Sequence, residues 1–200
     1  MGILIERFYG FLCVFIPCLI YQGWLLKKEG RTAHLGYHLF WVNVCVLYLY
    51  LAIDVAGIGS VWDIGSFKTI IRGDEIHLLP FSEGIGLTTV LNIIMFMPLG
   101  FLVPLIWRSY RNGIKVMGIG LLFSGLIEFF QLFNYRTTDI DDLLMNTLGA
   151  LFGYLMFVGL KKIFPQVGEK SILLAKYEPI VYVVLSILGE FLLFNWRLIA

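Results

Sequence analysis

Glu128 and Gln131 lie in an apolar run, SGLIEFFQLF (Ser124–Phe133), where ionisable and amide side chains are out of place. Ser124, Glu128 and Gln131 are spaced four and three apart, which puts them on one face of a helix. A carboxyl group in such surroundings has two uses. It serves as a general acid or base toward a bound molecule, or it ties neighbouring helices together through an internal hydrogen bond. A polar turn follows with Arg136, Thr137, Thr138, Asp139, Asp141 and Asp142, and then a second apolar run carrying Asn146. Grouped carboxylates can partner Glu128 or offer oxygen ligands to Mg²⁺ or Ca²⁺. Upstream, Asn92 opens the run NIIMFMPLGFLVP. There Pro98 lacks a backbone donor and crowds the carbonyl of Ile94, so a kink is expected, either shaping packing or opening a cavity beside Asn92.

Part of the acidic turn has a local explanation. Thr138 and Asp141 read as a capping box for the helix that follows, and the acids suit the positive end of its dipole. Three acids in four positions are more than a cap requires. Gly149 and Gly153 continue the face of Asp142 and Asn146 as a GxxxG pair, a pattern that lets two backbones approach closely. No Ser-His-Asp set, no phosphate-binding glycine loop and no His/Cys zinc pattern is visible, so neither a metal nor a cofactor is expected. Cys13, Cys18 and Cys45 all fall inside apolar runs without a Cys-x-x-Cys pair and read as packing residues.

These residues must be positioned by a membrane scaffold. Hydrophobic residues make up 59% of the 200-residue chain and charged residues 14%, with a mean hydropathy of +0.85. A soluble domain of this size has nowhere to bury so much apolar surface, whereas lipid needs no such burial. A net charge of +1 gives no footprint for nucleic acid. Six apolar segments are expected to span, at about Phe8–Leu26, Leu39–Ile58, Thr89–Trp107, Ile114–Phe133, Leu143–Leu160 and Pro179–Trp196. Backbone groups in lipid must pair internally, so the segments are helices. The fold class is therefore all-α, a polytopic transmembrane helical bundle of about six helices in a single membrane domain, 1–200. The first segment reads as a retained helix rather than a signal peptide.

Basic residues set the expected orientation. Lys27, Lys28 and Arg31, then Arg108, Arg111 and Lys115, then Lys161, Lys162, Lys170 and Lys176 mark three cytoplasmic connections. Both termini, the loop Gly59–Thr88 and the turn Asn134–Asp142 then lie outside. The long loop is amphipathic, with Trp62, Phe67, Ile70, Ile71, Leu78, Leu79 and Phe81, and is expected to lie in the interface or fold back on the bundle. With this topology Asn92, Glu128 with Gln131, and Asp142 with Asn146 arrive at one outer depth from three separate helices. Glu128 lies about one and a half turns below the boundary.

Taken together, HLLPF (His77–Phe81), NIIMFMPLGFLVP (Asn92–Pro104), SGLIEFFQLF (Ser124–Phe133) and RTTDIDDLLMNTLGALFGY (Arg136–Tyr154) resemble the VanZ-like membrane proteins, over about residues 77–160. The specific feature is the order: Asn before an apolar run ending Pro-Leu-Gly-Phe, then Glu-x-x-Gln, then Asp-x-x-Asp-x-x-x-Asn-Thr-x-Gly. His77 stands where the family's loop motif usually has Asn. The family's namesake accompanies a glycopeptide-resistance cluster and is associated with resistance to teicoplanin, a lipid-bearing glycopeptide. The resemblance implies a multi-pass protein of a bacterial, Gram-positive plasma membrane.

Three functions stay open at this point. The chain engages a lipid-bearing ligand, a lipoglycopeptide or an envelope component, at the outer leaflet and is related to teicoplanin resistance. Alternatively it is an intramembrane enzyme acting on a lipid or lipid-linked cell-wall intermediate, with Glu128 as acid or base. Or it is a non-catalytic membrane scaffold in which the polar cluster is helix glue. The candidate catalytic residue is Glu128, and the candidate binding residues are Asn92, Gln131, Arg136, Asp139, Asp141, Asp142 and Asn146. Membrane lipids are the expected partners, and the oligomeric state is open.

Overall fold

A computed structural model describes residues 2–30, 32–64, 76–77, 86–133 and 138–198. Six helices cover the six expected segments: α1 (Gly2–Glu29), α2 (Leu35–Ala56), α3 (Leu87–Ile106), α4 (Gly113–Gln131), α5 (Ile140–Ile163) and α6 (Glu178–Leu193). The first five are long and apolar enough to cross a membrane. α6 has 16 residues, about 24 Å of helix, and is the shortest of the set. Large apolar side chains point outward along the helices, among them Ile20, Phe40, Val55, Leu91, Leu121 and Phe152. Water would penalise that surface and membrane lipid covers it, so the chain is an all-helical, multi-pass membrane bundle.

The core is built where helices touch. Leu49, Phe96, Leu99, Ile106, Trp107, Phe123 and Tyr182 are fully buried at the bundle centre. α5 packs most extensively on α3 and then on α4, and α1 packs mainly on α6 and α2. The α3–α5 contact is backbone against backbone. A Cβ at Gly149 would overlap the carbonyl of Ile93, one at Gly153 the carbonyl of Met97, and one at Gly100 the carbonyl of Ala150. The GxxxG pair thus does the packing its spacing predicts. α3 continues as one helix through both Pro98 and Pro104.

Helix ends are closed by local chemistry. Asn112 caps α4, its side-chain oxygen accepting from the N–H groups of Ile114 at 2.9 Å and Lys115 at 3.2 Å. At the same end of the bundle Arg111 acts as a latch. Its guanidinium donates to the carbonyl of Pro104 at 3.0 Å, the carbonyl of Gly168 at 2.6 Å and the hydroxyl of Ser171 at 3.1 Å, and it lies 5.5 Å from the Phe157 ring centre. Arg111→Ala is expected to cost about 2 kcal/mol, the scale of hydrogen bonds from a charged donor, seen as an earlier midpoint in thermal unfolding of the purified protein. Arg111→Lys should recover little of it, because an ammonium lacks the planar fork that reaches three acceptors.

At the opposite end two short extended segments meet. β1 (Ile76–His77) pairs in parallel with β2 (Thr138–Asp139), Ile76 facing Thr138 and His77 facing Asp139. These two residues of the long loop thus lie beside the start of α5, while most of the loop, whose expected placement was at the interface or against the bundle, lies outside the described residues. Nearby, Trp196 Nε1 donates to Asp63 at 2.8 Å, and Arg197 donates to the carbonyl of Trp62 at 2.8 Å.

Candidate functional site

The polar residues of α4 sit on its inward face, as their spacing requires. Ser124 is 0% exposed, Glu128 8% and Gln131 6%. α5 brings Asn146, 3% exposed, against them. Asn146 Nδ2 donates to Ser124 Oγ at 2.9 Å. Gln131 Nε2 donates to the backbone carbonyl of Ala56, the last residue of α2, at 2.8 Å. A carbonyl only accepts, so this bond fixes which way the amide faces. Asn92, one turn into α3, donates to Asp142 in the first turn of α5. Glu128 accepts from the backbone N–H of Asp139 at 3.1 Å.

The start of α5 corrects one expectation. Thr138 and Asp139 are extended and paired with the long loop, so the helix begins at Ile140. The N-cap is Asp139, whose carboxylate accepts from the N–H of Asp141 at 2.9 Å. The cap thus falls one residue later than a Thr138–Asp141 box would put it. The strand pairing holds Thr138 out of the helix, and the next residue able to accept is Asp139.

Between α2, α3, α4 and α5 lies a cavity of about 400 Å³. Asn92, Glu128, Gln131, Asp142 and Asn146, with Thr88, supply its polar wall, and Ala56, Met95 and Ile127 are among its apolar side chains. Five of the eight candidate residues therefore line one space. Asp139 touches the site through its backbone bond to Glu128, and Asp141 serves the first turn of α5. Arg136 lies outside the described residues, as does the side chain of His77. Glu128, Asn92 and Asn146, expected at one depth, share the cavity, while the bonds of Asn92 and Asn146 described above go to Asp142 and Ser124. Among the described residues, no three His, Cys, Asp or Glu side chains are grouped to hold a metal ion.

Two polar acceptors of this wall have no partner among the described residues. They are Gln131 Oε1 and Asn146 Oδ1, both buried. An unpaired buried acceptor carries a desolvation cost of about 1–3 kcal/mol that a donor on a bound molecule removes. The arrangement is suited to holding a polar group against a carboxylate and two amide oxygens, with apolar walls alongside.

Other intramembrane polar groups escaped the sequence reading. A second cavity of about 320 Å³ is bounded by α1, α2 and α6 and lined by Glu6, Arg7, Tyr50, Asp54 and Glu190 among others. Tyr50 donates to the carbonyl of Arg7 at 2.6 Å, and Arg7 lies 3.9 Å from Asp54. Far from both cavities, His38 Nε2 and Glu178 Oε1 share a hydrogen bond of 2.7 Å, both side chains without exposure. The signal that picks out Glu128, an acid within an apolar run, is equally present at Glu190 in SILGEFLLF.

Comparison with known proteins adds a boundary. A family model described as VanZ/LLP1 matches residues 34–163. No curated protein and no solved structure matches the chain. The matched stretch runs from α2 through α5, the four helices that enclose the 400 Å³ cavity. It includes α2, whose terminal carbonyl receives Gln131, together with the motifs of residues 77–160. On that match, which covers more than half of its length, the chain belongs to the VanZ/LLP1 family of membrane proteins.

Proposed function

We propose that this protein works in a bacterial plasma membrane, with the cavity end facing outward, and lowers susceptibility to teicoplanin by engaging a lipid-bearing ligand or envelope component there. The observation that carries this reading is the cavity itself: a buried carboxyl, and amide oxygens without a partner among the described residues, beside apolar walls at one end of a membrane bundle. The orientation rests on Lys27, Lys28, Arg108, Arg111, Lys115, Lys161 and Lys162, which gather toward the opposite end. A membrane-embedded pocket suits a glycopeptide that carries an acyl tail. Expression in a sensitive host is expected to raise the inhibitory concentration of teicoplanin and leave that of vancomycin, which lacks the tail, unchanged. An unchanged teicoplanin value would sink the resistance reading for this member.

A second reading is favoured by one contact. Glu128 lines the cavity while a backbone N–H from Asp139 holds one of its oxygens. That is how a general acid or base toward a lipid or lipid-linked cell-wall intermediate would be oriented. Comparing envelope lipids in a deletion strain and its complemented parent separates the two. A missing product in the deletion strain favours chemistry, and an unchanged lipid profile favours binding.

A further inference from the structure

We infer that the cavity is the head-group half of a lipid site whose chain half lies on the outer face of α3, and that its ligand is a phospholipid with a primary ammonium head. This rests on reading the cavity as a ligand site. A second, apolar groove of about 440 Å³ is lined by Ile94, Met97, Pro98, Phe101, Leu102 and Met156. Ile94 lines both the groove and the cavity. The α3 members recur at three- and four-residue steps, so they form one strip about 12 Å long on the helix surface. Ile94 and Met156 are each 54% exposed, so the strip faces lipid. None of the six lining side chains carries an oxygen or nitrogen, and Pro98 has no backbone N–H. An acyl chain fits such a strip, and the shared Ile94 joins it to the polar wall.

The polar wall selects the head. Glu128 and Asp142 carry carboxyl groups, and Gln131 Oε1 and Asn146 Oδ1 are buried acceptors with no donor among the described residues. No lysine or arginine is among the described lining residues. The amide nitrogens of Asn92, Gln131 and Asn146 already donate to Asp142, Ala56 and Ser124, so what the wall chiefly offers a ligand is oxygen acceptors, which favour N–H donors, most of all charged ones. A phosphoethanolamine head brings three such donors and no net charge, and Thr88 on the same wall offers its hydroxyl to the phosphate. A choline head of equal charge has no N–H to give.

The test is competition against a fluorescent ethanolamine phospholipid, using the full chain in nanodiscs and unlabelled lipids with identical acyl chains. The ethanolamine lipid is expected to compete about tenfold better than its choline counterpart, about 1.4 kcal/mol, and better still than a phosphatidylglycerol. Ile94→Trp and Met156→Trp each fill the strip from its exposed side, where the fold makes no demand on them, and are expected to weaken binding about tenfold, the same 1.4 kcal/mol step. Equal competition by the three heads overturns the head assignment. Wild-type binding by both tryptophan variants overturns the chain assignment. If both results appear while Glu128→Gln still abolishes protection in cells, the cavity remains a ligand site and only the lipid class fails. If Glu128→Gln is also without effect, the ligand-site reading falls with it.

Discussion

Glu128→Gln, expressed at an abundance matched to the wild type, is expected to return teicoplanin susceptibility to that of the host without the protein. The substitution is close to isosteric. A glutamine oxygen still accepts from the N–H of Asp139, so the link between the end of α4 and the start of α5 survives. What changes is the cavity wall: one carboxyl oxygen becomes an NH₂ group that only donates, so the carboxyl's capacity to accept from a ligand, or to exchange a proton with it, is gone. The ligand group left without its acceptor costs about 1–3 kcal/mol, or roughly five- to over a hundred-fold in affinity. Susceptibility testing with immunoblots of membrane fractions checks it. Full protection by the variant would remove Glu128 from the mechanism. Protection lost only in proportion to protein level would make the residue helix glue and favour the scaffold reading.

The second large effect concerns the close approach of α3 and α5. Gly153→Leu is expected to eliminate the folded bundle. The clash is with the carbonyl of Met97, a backbone atom that cannot rotate away. The helices must separate, and overpacking of this kind costs upwards of about 3 kcal/mol. Separation would also undo the bond from Asn92 to Asp142 and open the cavity, since α3 and α5 form two of its walls. Gly149→Leu meets the carbonyl of Ile93 and should behave alike, whereas Gly159→Leu on the same helix meets nothing within 4 Å and should be tolerated. Size-exclusion profiles of fluorescently tagged variants in mild detergent measure the folded fraction. A monodisperse Gly153→Leu peak at wild-type height would contradict the packing argument.

The helices were legible because lipid imposes a coarse rule. A segment that crosses must be apolar for about twenty residues and must pair its own backbone, so length and composition locate it. Convergence of Asn92, Glu128, Gln131, Asp142 and Asn146 was legible for a related reason. In an up-and-down bundle, alternate helix ends share one depth, and each of these residues lies near such an end. The pairings were not legible. Asn92 bonds Asp142, Asn146 bonds Ser124 and Gln131 bonds Ala56, and these choices depend on helix rotation, which spacing along one helix does not determine. The Ala56 contact has no signature at all, since any residue offers a carbonyl. The cap of α5 moved to Asp139 because of a strand pairing with a segment some sixty residues earlier. Glu178 opens α6 and Glu190 lies within it, and the geometry that gives them meaning comes from α1 and α2.

The pairing of α1 with α6 bears on the order in which the bundle can be assembled. Gly189 of α6 lies against the carbonyl of Cys13, and Glu178 at the head of α6 is the partner of His38 at the head of α2. Chains emerge from the ribosome N-terminus first, so the earliest helix waits for the latest one. By then α2 to α5, the helices that enclose the cavity, are already in the bilayer and able to find one another. α6 therefore acts as a clasp: its arrival gives α1 a second helix to lean on and covers the imidazole of His38 with a carboxylate. A chain halted before residue 177 keeps every described wall of the cavity, yet lacks the carboxylate that His38 bonds in the finished bundle.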